Sequence, residues 1–99
     1  MPEGVSVEFT GPFREITGAR GVTVNIGRVT SLGSLISTLS KMYGEEFRRR
    51  IVDDEGAGLR ADSSMVAINQ VVVDPVGALS RSVRSGDRVV FALSIAGGG

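Results

Sequence analysis

The chain has 99 residues, 41 % hydrophobic and 22 % charged, with eleven basic side chains against eleven acidic ones. That balance fits one globular domain with a modest core, and a neutral chain carries no electrostatic footprint for nucleic acid or an anionic membrane. Cysteine and histidine are absent, which excludes a disulfide framework, a thiolate or imidazole metal site, and any Ser–His or Cys–His nucleophile pair.

Val5-Ser6-Val7-Glu8-Phe9 alternates apolar and polar residues, the period of a half-buried strand, and Thr10-Gly11-Pro12 breaks it. Phe13 to Gly18 reads as a short connector with two apolar anchors. Val22-Thr23-Val24-Asn25-Ile26 alternates again, so the two strands are expected to form an antiparallel hairpin with a long loop. Leu32, Leu35, Ile36, Leu39, Met42 and Tyr43 then trace one apolar stripe on a 3.6-residue period. This predicts the main helix, with Thr30 or Ser31 as N-cap and Gly44 as a left-handed residue after the last turn. Phe47 and Ile51, four apart, suggest a second short helical turn. The run Arg48-Arg49-Arg50 is either an anion site or, more simply, a solvated face. Residues 53–64 hold Gly56, Gly58 and several acids and read as a mobile loop.

Met65 to Ile68 predicts a strand, Asn69-Gln70 a turn, and Val71 to Val73 a further strand that Asp74-Pro75 stops. Leu79 and Val83 are apolar anchors in a connection, and Ser85-Gly86-Asp87 is a tight turn. In the last strand Val89, Phe91, Leu93 and Ile95 share one face and Val90, Ala92 and Ser94 the other. Both faces are mostly apolar, which places this strand centrally. The predicted class is α+β: a β-grasp over residues 1–95, a mixed sheet of about five strands with one main helix packed on one face. No apolar run approaches the roughly 18 residues of a membrane span. The start Met1-Pro2-Glu3-Gly4 lacks the regions of a secretory signal, so a cytoplasmic protein is expected.

Residues 96–99, Ala96-Gly97-Gly98-Gly99, read as a flexible glycine tail. Glycines bury nothing and are costly to order, so taken alone they suggest a frayed end or a cloning remnant. They also suit chemistry. A glycine carboxylate without a bulky neighbour can enter a narrow channel while the folded body is held elsewhere. A free carboxylate is a poor electrophile, and adenylation by ATP turns it into a mixed anhydride open to attack by a persulfide or thiol. No phosphate-binding glycine loop with a following Lys-Ser/Thr occurs in the chain. ATP and the nucleophile must therefore come from a partner.

Several motifs, in order, carry a family resemblance. Val7-Glu8-Phe9 followed by Arg14-Glu15-Ile16-Thr17-Gly18 is one, and Val66-Ala67-Ile68-Asn69-Gln70 another. Leu79, then Gly86-Asp87-Arg88-Val89-Val90-Phe91, and finally Ala96-Gly97-Gly98 complete the set. The chain resembles the MoaD/ThiS family of ubiquitin-like sulfur carriers, the MoaD branch (molybdopterin synthase small subunit) most closely. The resemblance implies that Gly99, or Gly98 if the end is trimmed, is the reactive carboxylate, with Ala96, Gly97, Gly98 and Gly99 in the channel of a MoeB/ThiF-like adenylating enzyme. It implies a sulfur-donor protein and a molybdopterin synthase large subunit as further partners, no bound cofactor or metal, and ATP used by the activating enzyme. The chain is then a sulfur-donating subunit rather than a self-sufficient enzyme. Phe91, Ile95, Asp87 and Arg14 are the candidate partner contacts. Phe91 reads more simply as core, like Phe9, Asp87 as a cap of the turn with Gly86, and Arg14 as a solvated loop residue. The sequence departs from the family in a third terminal glycine, in Leu93 and Ser94 where two prolines often stiffen the exit, and in Thr10 and Ala92 where some members expose aromatics. Two other readings stay open: a ubiquitin-like modifier joined through its C-terminal glycine to lysines, and a β-grasp interaction module with an inert tail.

Overall fold

A computed structural model describes residues 4–53, 56, 58–60 and 64–93. Strand β1 (Gly4–Phe9) is followed by helix α1 (Pro12–Thr17), β2 (Gly21–Asn25), β3 (Val29–Ser31), α2 (Leu32–Tyr43) and α3 (Glu45–Ile51). Then come β4 (Met65–Ile68), β5 (Val71–Val72), a 3₁₀ turn (Ala78–Ser80), β6 (Ser82–Arg84) and β7 (Arg88–Ala92). Five strands form one sheet in the order β2-β1-β7-β4-β5, and β3 pairs with β6 in a separate antiparallel ribbon. β7 lies parallel to β1 and antiparallel to β4. This is a β-grasp: the opening hairpin and the last strand hold the helix between them, and the apolar last strand is central as its two faces predict.

The alternation along the strands decides which side is covered. Val5, Val7, Phe9, Val66, Ile68, Val89 and Phe91 point into one core with Leu32, Leu35, Ile36 and Leu39 of α2 and Phe47 and Ile51 of α3. Helix α2 starts at Ser31, whose extended backbone lets its hydroxyl accept from the Ser34 N–H at 3.1 Å; such a cap contributes about 1 kcal/mol. Met42, counted on the apolar stripe, is half exposed. At 100° per residue it falls about 80° from Leu32, at the margin of the stripe, whereas Tyr43 returns to its centre.

The structure corrects the sequence reading at several points. The expected connector after β1 is a helix, α1. Pro12 at its first turn has a preset φ, and Gly18 ends it in the left-handed region at φ 70°, ψ 17°, its N–H donating to the Arg14 carbonyl. Six residues are too few for a periodicity to show. Burial of Phe13 in the core holds the helix in place. Gly44 takes φ 103°, ψ 169°, not a left-handed helical conformation. It ends α2 and starts α3 together, in a region open essentially to glycine. The main helix therefore shares its face of the sheet with two shorter ones. The ribbon of β3 and β6 was not anticipated, because three-residue strands show no alternation. Of residues 53–64, the described ones are pinned: Val52 bridges Leu59, Gly58 bridges Val76, and Leu59 is buried.

Candidate functional site: the end of the last strand

β7 is the last described element before the glycine tail in sequence, so its Ala92 end is the described part of the chain nearest to those glycines in sequence. All four Phe and the one Tyr of the chain gather beneath it. Phe91 lies 5.2 Å from Phe47 in an edge-to-face contact and 6.1 Å from both Phe9 and Phe13. Tyr43 closes the group 5.5 Å from Phe9. Phe9, Phe13, Phe47 and Phe91 are completely buried, which makes this end of the sheet an apolar, rigid base. The Phe91 carbonyl receives two donors from one residue, the backbone N–H of Thr10 at 3.1 Å and its Oγ1 hydroxyl at 3.1 Å. Gly11 follows at φ 56°, ψ −132°, which favours glycine, and a Cβ there would sit 3.9 Å from that of Leu93.

The opposite end of β7 is polar. Asp87 accepts the Arg84 N–H at 2.8 Å on one carboxylate oxygen and the Asn69 Nδ2 at 2.9 Å on the other. Asn69 Oδ1 in turn accepts the Arg88 N–H at 3.0 Å. The Asn and Gly-Asp motifs of the sequence are thus one structural lock between two turns. Arg88 also pairs with Glu8 at 2.6 Å, both side chains partly exposed.

Among the described residues, no helix lies on the outer face of the sheet. Glu8, Val90, Ala67 and Val72 align across it in register, with Met65 opposite Ala92 beside them. Val72 is exposed and Met65, Ala67, Val90 and Ala92 are half-buried, so this face is apolar from Val72 to Ala92 and is bordered by the charged pair Glu8–Arg88.

Among the sequence-derived site residues, Ile95, Ala96, Gly97, Gly98 and Gly99 lie outside the described residues. Phe91 is corrected: its ring is core and unavailable to a partner, because the strand turns it toward the helices. Asp87 spends both oxygens on the turn lock. Arg14 is exposed on α1, away from the Asp87 lock. The structure does not bring Arg14 and Asp87 into one site. The arginine run splits: Arg49 and Arg50 line an open groove with Arg60 and Glu46, and Arg60 Nε donates to the Arg49 carbonyl at 2.7 Å. Among the described residues no group of three potential metal ligands comes together. The reading from sequence missed the role of Thr10 and Gly11, which it took as a strand breaker, with Thr10 also at a position where some family members expose an aromatic; the Thr-Gly-Pro order after a strand was the available signal.

The ThiS family model matches residues 7–99, nearly the whole chain and including the terminal glycines. The chain belongs to the ThiS family. Solved structures agree on the fold. Urm1 of Trypanosoma brucei superposes with TM-score 0.72 at 26 % identity, over 97 % of this chain and 96 % of that one. A molybdopterin converting factor subunit 1 candidate from Pyrococcus furiosus gives 0.72 at 20 %, covering 93 % and 98 %. Small archaeal modifier protein 1 (SAMP1) of Methanosarcina acetivorans gives 0.72 at 17 %, covering 98 % of each. No curated protein matches this ThiS-family chain by sequence.

Proposed function

We propose that this ThiS-family protein is a sulfur carrier. A partner adenylating enzyme of the MoeB/ThiF kind activates the Gly99 carboxylate with ATP, releasing pyrophosphate. A persulfide on a sulfur-donor protein attacks the acyl carbon and displaces AMP, and reductive cleavage of the resulting acyl disulfide by a thiol leaves a thiocarboxylate. The thiocarboxylate then donates its sulfur. The acceptor we assign is a pterin precursor of the molybdenum or tungsten cofactor, within a complex with a molybdopterin synthase large subunit, in the cytoplasm. The observation that carries this reading is the family match running through Gly99. A chain with neither Cys nor His, whose working chemistry has to be supplied by partners, is consistent with it. The half-apolar outer face from Val72 to Val90, reaching Ala92, is the surface offered to the activating enzyme.

Deleting Gly98 and Gly99 tests the reading. Without them, ATP–pyrophosphate exchange by the cognate activating enzyme falls to background while the fold, followed by circular dichroism, is unchanged. Full exchange with the shortened chain contradicts it and favours an interaction module with an inert tail. A second reading, a protein modifier joined through Gly99 to lysines of other proteins, draws support from the likeness to small archaeal modifier protein 1. Gly-Gly remnants on lysines of cellular proteins, absent when the gene is deleted, would select it.

A further inference from the structure

The carbonyl at the end of β7 is held by a side chain as well as by the sheet. In a parallel pair such as β1 and β7, one backbone N–H per carbonyl is the ordinary ladder. Phe91 has that bond from the Thr10 N–H and a second from the Thr10 hydroxyl, both at 3.1 Å. The residue after Thr10 lies beside the residue two beyond Phe91. Gly11 adopts φ 56°, ψ −132°, a conformation that favours glycine, and a Cβ built there would lie at ordinary contact distance, 3.9 Å, from the Cβ of Leu93. The residue after that, Pro12, opens α1, and Phe13 packs its ring on Phe91 at 6.1 Å. Thr10 to Phe13 therefore forms a bracket around residues 91–93. The bracket stands where the sequence lacks prolines to stiffen the exit, and it is anchored in the core at both Phe9 and Phe13.

We propose that Thr10 is a positioning residue: its hydroxyl, with Gly11, fixes the end of β7 at residues 91–93, the stretch from which the chain continues to the terminal glycines. This rests on the sulfur-carrier reading for its functional consequence. A tail that starts from a fixed point loses less freedom on entering an enzyme channel than one whose root also moves. The hydroxyl never touches the reacting carboxylate. Its effect is on how often the tail reaches the channel in a productive pose.

The experiment compares Thr10→Val, which keeps shape and the backbone N–H, with Thr10→Ser, which keeps the hydroxyl. For the activating enzyme, Thr10→Val lowers kcat/KM for the carrier about 3- to 10-fold, chiefly through KM, the range expected for one lost hydrogen bond; Thr10→Ser restores it. In parallel, amide ¹⁵N order parameters of Ala92 and Leu93 fall in Thr10→Val and recover in Thr10→Ser. Unchanged order parameters in Thr10→Val overturn the proposal whatever the enzyme does. Lower order parameters with unchanged kcat/KM also overturn it, by showing that the bracket is structural only. If the wild-type chain is not activated at all, the sulfur-carrier reading fails separately, and the order parameters still decide whether the hydroxyl fixes the strand end.

Discussion

At its Ala92 end, β7 packs its own Phe91 ring on three other buried phenyl rings, with Tyr43 at their rim; at its Arg88 end, it is tied by a chain of polar bonds through Asp87, Asn69 and Glu8 at the surface. The two ends use different physics for different tasks. Ring packing is non-directional, excludes water and resists salt, and it gives the Ala92 end of β7 a stiff base. The polar lock is directional and sets register: Asn69 reads the turn before β7, and a slip of one residue would leave Asp87 without its donors. Because that end is solvated, each of its bonds contributes little net free energy. Stability should therefore lie mainly near the tail, and strand alignment mainly far from it.

The largest test of that contrast is Phe91→Ala. It removes a buried ring touching three others, and should cost about 3–5 kcal/mol in urea unfolding, a large share of the roughly 5–15 kcal/mol of a small domain. A cost near 1 kcal/mol would break the contrast. Asp87→Ala removes two hydrogen bonds of the lock and should cost about 1–2 kcal/mol. In a double-mutant cycle with Asn69→Ala the two should couple by at least about 0.5 kcal/mol; simple additivity would mean that the turns are independent. Gln70→Gly should act in the opposite direction. Asn69 and Gln70 sit at φ 51° and 72°, as a two-residue hairpin turn demands, and a glycine relieves the second by about 0.5–1 kcal/mol, seen as a higher urea midpoint. The smallest effect belongs to Glu8→Gln at the exposed pair with Arg88. It should cost at most about 0.5 kcal/mol and vanish in 1 M salt, where screening is about 3 Å.

Much of the fold was legible because its signals are periodic. β1, β2, α2 and β7 each show an apolar repeat of the right period, and α3 was visible in Phe47 and Ile51 alone. What escaped was short. α1 has a proline at its start and a glycine at its end but only six residues between, and β3 and β6 are three residues each. Such pieces are held by tertiary burial of single anchors, Phe13 and Val83; the anchors were legible as apolar residues, but one anchor carries no period to tell helix from strand. For the site, the glycines and the family motifs were readable from sequence, and Asp87 was legible as a turn cap. For Phe91 the pattern favoured core without deciding it, since both faces of a central strand are apolar and only the side on which the helices lie decides. The Thr-Gly-Pro order marked Thr10 as a strand end but did not reveal its bond to Phe91, because that partner lies 81 residues away.

The central claim is that the terminal glycine is the chemical end of the molecule. Its most direct test is intact-mass and fragment-ion spectrometry of the chain after incubation with ATP, Mg²⁺, the cognate activating enzyme, a persulfide donor and a reducing thiol. The account predicts exchange of one oxygen for sulfur, confined to the C-terminal fragment and located on Gly99, or on Gly98 with loss of one glycine. An unmodified mass under conditions in which the same enzyme thiolates its own known carrier would contradict it.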